Sequence, residues 1–462
     1  MAKSSKKEGF NADRLLLDSD QEALLALGQK KADETPAASL GDFHPVKRDG
    51  VKLIKLVEDK LIPELLPLRH KRMMKNAFTF FRGTAGLMEH DLKEQTQSQI
   101  LLIICGDAHL NNFGFYASPE RQLLFGLNDF DESRIGHWDS DLRRLLVSSV
   151  LIGELNGYSK KAQREIVMEA AKTYRRGIKQ AQSLPLLNRF YLSYRAADLM
   201  DSVSDDSQMR EVLQKIMVRA PKNNSDKALK KFTQKMPDGS VQFKEKPPRA
   251  RHVNEKLKAE LLAGLKTYQR TATADVQIFL INYRVTDLIR YSVGVGSFGT
   301  RCYLALLTGK DGSHLILQIK EALPVTDDLT TLSVMESNNL SADAGKRIIV
   351  AQKVLQTYSD PFLGSMKVGP RSYYIRQFRD MKDSIDATEL DEAGFRAYTK
   401  ICAFMLAMSH YRSPTAPMIA GYLKNQKTFD EAMTAWTMSY ATQVHQDYDE
   451  FEAYLRGDRA LD

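Results

Sequence analysis

The side chains best suited to catalysis lie in two short polar stretches, CGDAHLNNFGF at 105–115 and LNDFDES at 127–133. The candidate oxygen ligands in these stretches include Asp107, Asn112, Asp129 and Asp131. Carboxylate and amide oxygens suit Mg²⁺, which keeps several waters and shares phosphate oxygens. The alternative is Asx-rich turn chemistry with His109 packed in the core. So many polar residues within 25 positions favour a functional site.

A second motif, GVGSFGT at 294–300, is rich in glycine and lies between two strand-like runs. Its candidate phosphate-binding residues are Gly294, Gly296, Ser297 and Gly299. A dinucleotide-binding loop of this spacing opens a helix, whereas here a strand follows. Strand, glycine loop and strand are typical of the hairpin that covers nucleotide phosphates in protein kinases. An ordinary hairpin turn is the alternative that this motif leaves open.

Lys320 ends the apolar run LILQIKEA, one strand after the glycine loop. Strand alternation places Leu315, Leu317 and Ile319 on one face and Lys320 with Ile316 on the other. A lysine at the end of an apolar strand is commonly an edge residue whose ammonium reaches solvent. Directly after a glycine-rich hairpin, however, it is also placed to reach phosphates beneath that hairpin.

The periodicity of the chain predicts an α+β protein. Runs at 100–105 and 122–127 predict a hairpin-like unit over 100–127, and helices follow over 138–217, with Ser159 as an N-cap. A further helical stretch at 254–287 precedes a three-stranded meander. The meander strands are expected at 289–295, 301–308 and 314–319, a helix at 344–358, a strand at 373–378 and helices from Asp391 onward.

The net charge of +8 comes almost entirely from one stretch, 219–251, which holds 10 Lys or Arg and 3 Asp or Glu. The rest is nearly neutral, so specific nucleic-acid binding is not expected. The stretch is predicted to be a flexible, solvated insertion loop, with a landing site for an anionic partner as the alternative.

The cysteines and apolar runs bear on the compartment. The chain of 462 residues has three widely spaced cysteines, which exclude a disulfide scaffold and a thiolate zinc site and fit a reducing compartment. No apolar run is long enough to span a bilayer, and the basic N-terminus lacks the apolar core of a secretory signal. A cytoplasmic protein is therefore expected.

The motif GDAHLNN followed by NDFD is similar to the catalytic stretch of aminoglycoside- and choline-kinase-like phosphotransferases. More closely, segments such as FTFFRGTAGLMEHDL, CGDAHLNNFGF and YYIRQFRDMK resemble the bacterial "domain of unknown function 2252" family from about residue 45 onward. The kinase resemblance implies ATP and Mg²⁺ as cofactors. It assigns Asp107 as the catalytic aspartate, Asn112 as a second catalytic-loop residue and metal ligand, and Asp129 as the metal-binding aspartate.

The same resemblance makes Asp131 a second candidate metal ligand. It places Gly294, Gly296, Ser297 and Gly299 over the phosphates and Lys320 as the lysine that grips them. The acidic partner of this lysine has no obvious position, because the following helix contains no acid. Gln352 and Glu336 are the candidates for that role.

The order of these motifs is reversed relative to kinases, since the catalytic-type loop precedes the glycine loop. We therefore expect a circularly permuted, two-lobed kinase-like fold. It comprises a tail (1–45), a large helical lobe (46–287), a small β-rich lobe with the hinge (288–382) and C-terminal helices that complete the large lobe (383–462). The helix ending in AFMLAMSHYRS resembles the one that normally leads into the catalytic loop.

The function that this resemblance implies is that of an ATP- and Mg²⁺-dependent phosphotransferase that acts on a small-molecule or protein hydroxyl. A nucleotidyl (AMP) transferase on the same site and a pseudokinase-like nucleotide-binding or scaffold protein are the alternatives. Arg82, and Asp141 with Arg143, are candidates to brace the catalytic loop, with buried carboxylate–arginine pairs as the favoured interpretation.

Overall fold

The structure is a computed structural model that describes residues 19–202, 206–292, 294, 296, 298–325 and 343–457. Helices and small antiparallel sheets make up these residues, so the α+β prediction is confirmed. No helix in these ranges combines the length and apolar character needed to cross a membrane. The cysteines at 105, 302 and 402 are buried free thiols, and the cytoplasmic location stays a prediction.

The helices are α1 (Gln21–Glu34), α2 (Gly50–Glu58), α3 (Leu66–Met73), α4 (Ala77–Gly83), α5 (Ala85–Leu92), α6 (Trp138–Leu155), α7 (Lys160–Ser183), α8 (Leu186–Tyr191), α9 (Ala196–Ser202), α10 (Ser207–Arg219), α11 (Ser225–Phe232), α12 (Glu255–Thr271), α13 (Ala274–Leu280), α14 (Ala344–Leu355), α15 (Glu392–His410), α16 (Pro417–Leu423) and α17 (Phe429–Arg456). The strands are β1 (Leu101–Ile104), β2 (Phe113–Ala117), β3 (Leu123–Leu127), β4 (Arg134–His137), β5 (Thr233–Lys235), β6 (Val241–Phe243), β7 (Ala250–His252), β8 (Tyr283–Tyr291), β9 (Cys302–Gly309), β10 (His314–Ala322), β11 (Gly364–Val368) and β12 (Arg371–Gln377).

A six-stranded antiparallel sheet has the strand order β11-β12-β10-β9-β8-β7. Its strands β8, β9 and β10 are the predicted meander. Strand β8 begins at Tyr283, so the helix expected up to 287 is wrong at its end. The β-branched Val285 and Thr286 favour an extended backbone there, and Val285 pairs with Leu307 of β9.

The two faces of the sheet follow the predicted alternation. Leu315, Leu317 and Ile319 pack in one apolar cluster with α12, whereas Ile316 packs in another on the opposite face. Helices α12 and α13 cover the first face. They therefore pack with the sheet although the sequence analysis grouped them with the large helical lobe.

The basic stretch 219–251 is folded. It contains α11, the β5–β6 hairpin and β7, which pairs with β8. The prediction of a flexible loop is wrong because Ala228, Phe243 and Ala250, spread among the lysines, are buried against the sheet with Ile289. An anionic partner for this stretch stays a prediction.

A central helix, α6, organises the helical part and packs against α7, α15 and α17. Nearly every residue of α6 from Trp138 to Gly153 is buried. The Ser159 hydroxyl accepts a hydrogen bond from the Ala162 amide at 3.2 Å, so the predicted N-cap of α7 is confirmed.

The strands around the polar loop pair differently from the prediction. Strand β1 pairs with β4, and β2 pairs with β3, so the runs at 100–105 and 122–127 are not partners. A short turn after Ala117 closes the β2–β3 hairpin, whereas β1 lies beside the strand that enters α6. Loop 105–112 therefore starts at the end of β1, in the β1–β4 pair, and ends at the start of β2, in the β2–β3 pair.

Helix α1 is packed into the fold rather than forming a tail, and residues 1–18 lie outside the described ranges. It crosses α16 at two glycines, Gly28 and Gly421. A Cβ on Gly28 would lie 1.9 Å from the carbonyl oxygen of Met418, and one on Gly421 would lie 2.0 Å from that of Leu25. The backbones of the two helices are therefore too close for any side chain at these positions.

We predict that Gly28→Ala lowers the free energy of unfolding by about 1–3 kcal/mol, because the added methyl must push the two helices apart. Thermal and urea denaturation measure this change. Lys30→Ala, at an exposed position of the same helix, is the control and should stay near wild type. An unchanged melting temperature in Gly28→Ala would show that α1 does not pack at this crossing.

Candidate functional site

A cleft with about 1180 Å³ of free space brings together residues that are far apart in the sequence. The predicted site residues in its wall are Asp107, Asn112, Asp129, Asp131, Gly294 and Gly296. The cleft lies where loop 105–112, the segment after β3 and the glycine loop meet. Polar residues from separate elements thus face one space, as the sequence predicts for a functional site.

Lys320 connects the six-stranded sheet to this cleft. Its ammonium forms an ion pair with Asp131 and lies 3.8 Å from Oδ2 of Asp129. Lys320 is only 3% exposed. Burial acts to lower the pKa of Lys320, but the two carboxylates outweigh it and hold that pKa well above the usual value. The lysine is therefore charged and fixed in place.

Asp129 and Asp131 occupy different environments on the two sides of this lysine. Burial acts to raise the pKa of Asp129, but the charges of Lys320, Arg376 and Lys382 outweigh it, so the pKa is lowered. Its Oδ1 atom has no hydrogen-bond partner, although 48% of the side chain is exposed. Asp131 also accepts a hydrogen bond from the Tyr374 hydroxyl at 2.9 Å. Burial and the Asp129 charge raise the pKa of Asp131.

Asp107 is held by an arginine of the central helix. Arg144 Nε donates to Asp107 Oδ1 at 2.8 Å, and the guanidinium stacks on the Phe81 ring with 3.7 Å to the centroid. Burial nevertheless raises the pKa of Asp107. His109 Nε2 lies 3.6 Å from Asp107 Oδ2. The ion pair fixes one carboxylate oxygen, and Asp107 is part of the cleft wall.

Asp141 of α6 braces the start of the same loop. Its carboxylate accepts hydrogen bonds from the amides of Cys105 at 2.7 Å and Gly106 at 2.8 Å. His410 lies 3.1 Å from it, so three groups surround one buried carboxylate. Asp141 thus braces the loop. It does not pair with Arg143, which lies 3.9 Å from the carboxylate of Asp139 and donates to backbone carbonyls.

Gly106 turns the chain sharply beneath this brace. Its φ is +79°, and a Cβ there would lie 2.1 Å from the carbonyl oxygen of Glu132. Only glycine fits both conditions. The close approach holds loop 105–112 against the segment that carries Asp129 and Asp131.

Asn112 holds the two polar stretches together through its amide. Its Nδ2 atom donates to the carbonyls of Asp107 at 2.8 Å and Asp129 at 2.9 Å, and its Oδ1 atom accepts from the Asp129 amide at 2.7 Å. The side chain is 3% exposed. In this structure the Asn112 side chain thus links the backbone at Asp107 to the backbone at Asp129. Its role as a metal ligand stays a prediction.

The glycine loop is tied to helix α3 rather than free over the cleft. Arg69 donates to the carbonyl of Gly296, and Arg72 donates to that of Gly294. Gly294 and Gly296 line the cleft, but Gly299 lies outside its wall and packs beside Leu61. Ser297 lies outside the described residues.

The residue that partners Lys320 is not on helix α14. The Gln352 amide donates to Gln356, and Glu336 lies outside the described residues. Arg347 is the α14 side chain that reaches the site, where it donates to the carbonyls of Asp131 and Leu323 at 3.0 Å. The lysine therefore finds its acid on the loop after β3.

The geometry of the carboxylate and amide side chains in the cleft decides whether they fit Mg²⁺. Among the described residues, no three carboxylate, histidine or cysteine side chains already converge as a ligand set. The unpartnered Oδ1 atom of Asp129 fits a cation, since a buried carboxylate oxygen without a partner is unfavourable. One protein carboxylate with waters and phosphate oxygens is an ordinary environment for Mg²⁺.

Two side chains that hold the site, Arg144 and Tyr374, are not among the site residues predicted from the sequence. Tyr374 stands directly opposite Lys320 in the β10–β12 register. The sequence alone does not predict this pairing, because it does not give the order of the strands in the sheet. Arg144 carried a signal, because it follows Asp141 on α6 by three positions and shares its face.

A second cavity, with about 740 Å³ of free space, lies on the other side of Asp129. Asn128, Asp360, Arg376 and Lys382 contribute to its wall. Burial, together with the charge of Arg376, lowers the pKa of Lys382 to about 7. This amine therefore titrates near neutrality, unlike an ordinary lysine.

We predict that Lys382→Met increases stability most below pH 7. The folded pKa lies below the unfolded value, so the buried ammonium destabilises the fold below pH 7, and this cost fades between pH 7 and about 10.4. Urea denaturation at pH 6 and pH 9.5 measures the gain, with the exposed Lys310→Met as the control. A gain that is equal at both pH values would contradict the lowered pKa.

A sequence comparison places the chain in one family. The family described as "Uncharacterized protein conserved in bacteria (DUF2252)" matches residues 61–454. No curated protein and no solved structure matches the chain.

Proposed function

We propose that this chain, which belongs to the DUF2252 family, is an ATP- and Mg²⁺-dependent phosphotransferase of the kinase-like type. One observation carries the proposal. Lys320 reaches from the sheet to Asp129 and Asp131, in a cleft that also contains Asp107 and the glycine loop. A lysine, a metal-binding aspartate and a catalytic aspartate around one space are the parts that phosphoryl transfer needs.

The order of elements in the sheet supports the proposal. Strand β8, the glycine loop, strand β9 and the lysine strand β10 follow one another, and helix α14 leads into β11 and β12. A kinase small lobe has the same succession of glycine-rich hairpin, lysine strand and helix. This likeness in topology is independent of the polar motifs.

The C-terminal helix α15 supports a circular permutation. Just after α15, the Ser413 hydroxyl accepts from the Ile103 amide at 3.3 Å, and the Thr415 hydroxyl donates to the Leu101 carbonyl at 2.6 Å. The end of α15 therefore lies beside the strand that leads into loop 105–112. If the chain continued from there into β1, the elements would follow the usual kinase order.

In this proposal Asp107 orients the acceptor hydroxyl and takes its proton. Arg144 fixes its carboxylate, and burial, which raises the pKa of Asp107, makes it a better proton acceptor than an exposed aspartate. Lys320 positions nucleotide phosphates beneath the glycine loop. Asp129 would hold Mg²⁺, which supplies charge neutralisation to the phosphates.

We predict that calorimetry detects ATP binding that requires Mg²⁺ and weakens at least tenfold in both Asp129→Asn and Lys320→Met. Asp129→Asn removes the available carboxylate charge at a side chain that is half exposed, so the fold should remain intact. Lys310→Met, an exposed lysine at the tip of the same sheet, removes the same charge and should bind ATP like wild type.

Other results would contradict the proposal in recognisable ways. No ATP binding by wild type would leave a likeness of fold without nucleotide chemistry. Binding that persists without Mg²⁺ and in Asp129→Asn would favour a nucleotide-binding module. ATP labelled on the α- or the γ-phosphate separates nucleotidyl from phosphoryl transfer to added acceptors.

A further inference from the structure

Among the described residues, the buried polar atoms of the cleft wall without a hydrogen-bond partner include Nε of Arg82, Nδ1 of His109 and Oδ1 of Asp129. A buried polar atom without a partner destabilises a fold unless water or a ligand satisfies it. Asp129 has a role in the proposed nucleotide site, whereas Arg82 and His109 have none.

Arg82 forms no ion pair with an acidic side chain of the described residues, although the charges of Asp107 and Asp129 act on it. It stands near the end of helix α4, and its guanidinium lies 5.8 Å from the centroid of the Phe78 ring. The carboxylate–arginine pair expected for Arg82 is not formed. Asp107 pairs with Arg144 instead, and Asp129 and Asp131 lie next to Lys320. Within the described residues, no acidic side chain forms an ion pair with Arg82.

His109 adds a second unsatisfied group close to this cation. It is 6% exposed, and its ring packs edge-on against the ring of Phe78, with 6.2 Å between their centroids. Burial and the charges of Arg82 and Arg144 hold the pKa of His109 well below its usual value, so the ring is neutral. A neutral imidazole can present one N–H to an anion.

The start of helix α5 lines the same part of the cleft. Ala85 and Gly86 are in its wall and are the first two residues of α5, where a helix has amides without an intrahelical acceptor. The amides of a first helical turn, with the helix dipole behind them, bind anions. Arg82 and this helix end therefore offer hydrogen-bond donors to the cleft, and His109 offers a third in the tautomer that carries its proton on Nδ1.

We propose that this part of the cleft binds an oxyanion of the acceptor substrate, so that the acceptor is a small hydroxy compound that also carries a phosphate or carboxylate group. The inference rests on the proposed function, since it names the acceptor class for that site. Arg82 would pair with the oxyanion, and His109 and the α5 amides would hydrogen-bond to it. The hydroxyl of the same molecule would then lie at Asp107, to which both Arg82 and His109 are close.

Arg82 and Lys320 belong to different parts of the fold. Lys320 belongs to the sheet, and the charges of Asp129 and Asp131 act on its ammonium. Arg82 belongs to α4 in the helical part, where the charges of Asp107 and Asp129 act on its guanidinium and its backbone carbonyl lies beside Gly296 of the glycine loop. The electrostatic link to Asp107, the proposed catalytic aspartate, favours the acceptor over the nucleotide as the source of the anion.

The test is calorimetric titration of inorganic phosphate into the full chain, alone and with saturating Mg²⁺ and the β,γ-imido analogue of ATP. We expect phosphate to bind in both conditions and to bind at least tenfold more weakly in Arg82→Gln. Arg164→Gln, an exposed arginine on α7, removes the same charge and should bind phosphate like wild type. Arg82→Lys should recover part of the affinity, and melting curves show whether each variant is folded.

The other outcomes overturn the proposal or separate it from the proposed function. Phosphate that is displaced by the ATP analogue would assign Arg82 to the nucleotide, and phosphate binding unchanged in Arg82→Gln would remove Arg82 from any anion site. If the analogue does not bind at all, the phosphotransferase proposal fails. Arg82-dependent phosphate binding that Lys320→Met leaves intact would then still support the anion site.

Discussion

The ion pair of Lys320 with Asp131, with Asp129 close by, is the interaction on which the rest of the structure depends. A lysine that is 3% exposed cannot remain charged without nearby carboxylates. The lysine belongs to the sheet and the carboxylates belong to the loop after β3, so charge pairing fixes the sheet against the helical core. Arg347 strengthens the same junction by donating to the Asp131 carbonyl. The cleft is the space that this junction leaves between the two parts.

The wall of the cleft combines loop 105–112, whose backbone is held by hydrogen bonds, with polar groups that have no partner among the described residues. The backbone of this loop is held in two ways. Asp141 and Asn112 accept from or donate to its backbone groups, and Gly106 allows a close approach to the backbone of Glu132. Within the described ranges, Nε of Arg82, Nδ1 of His109 and Oδ1 of Asp129 have no hydrogen-bond partner. Buried backbone groups with partners and functional side chains without partners are the pattern expected of a site prepared for a ligand.

Patterns local in the sequence predicted much of this arrangement. The alternation at 315–320 placed Lys320 on the correct face, and the concentration of polar residues at 105–131 identified the loop that meets it. Contacts between distant segments could not be predicted in this way. The partner of β1 is β4, and Lys320 finds its acid on the β3 loop rather than on α14, because both pairings depend on how separate elements pack. The basic stretch folds because Ala228, Phe243 and Ala250 are buried against the sheet, which the charged composition of the stretch did not predict.

The central claim is that motifs in permuted order form one nucleotide site, and a crystal structure with Mg²⁺ and the β,γ-imido analogue of ATP tests it most directly. We expect the triphosphate to lie between Gly294, Gly296 and Asp129, with a phosphate oxygen within hydrogen-bond distance of the Lys320 ammonium. A nucleotide bound elsewhere on the chain, or crystals that contain none at saturating concentration, would contradict the claim.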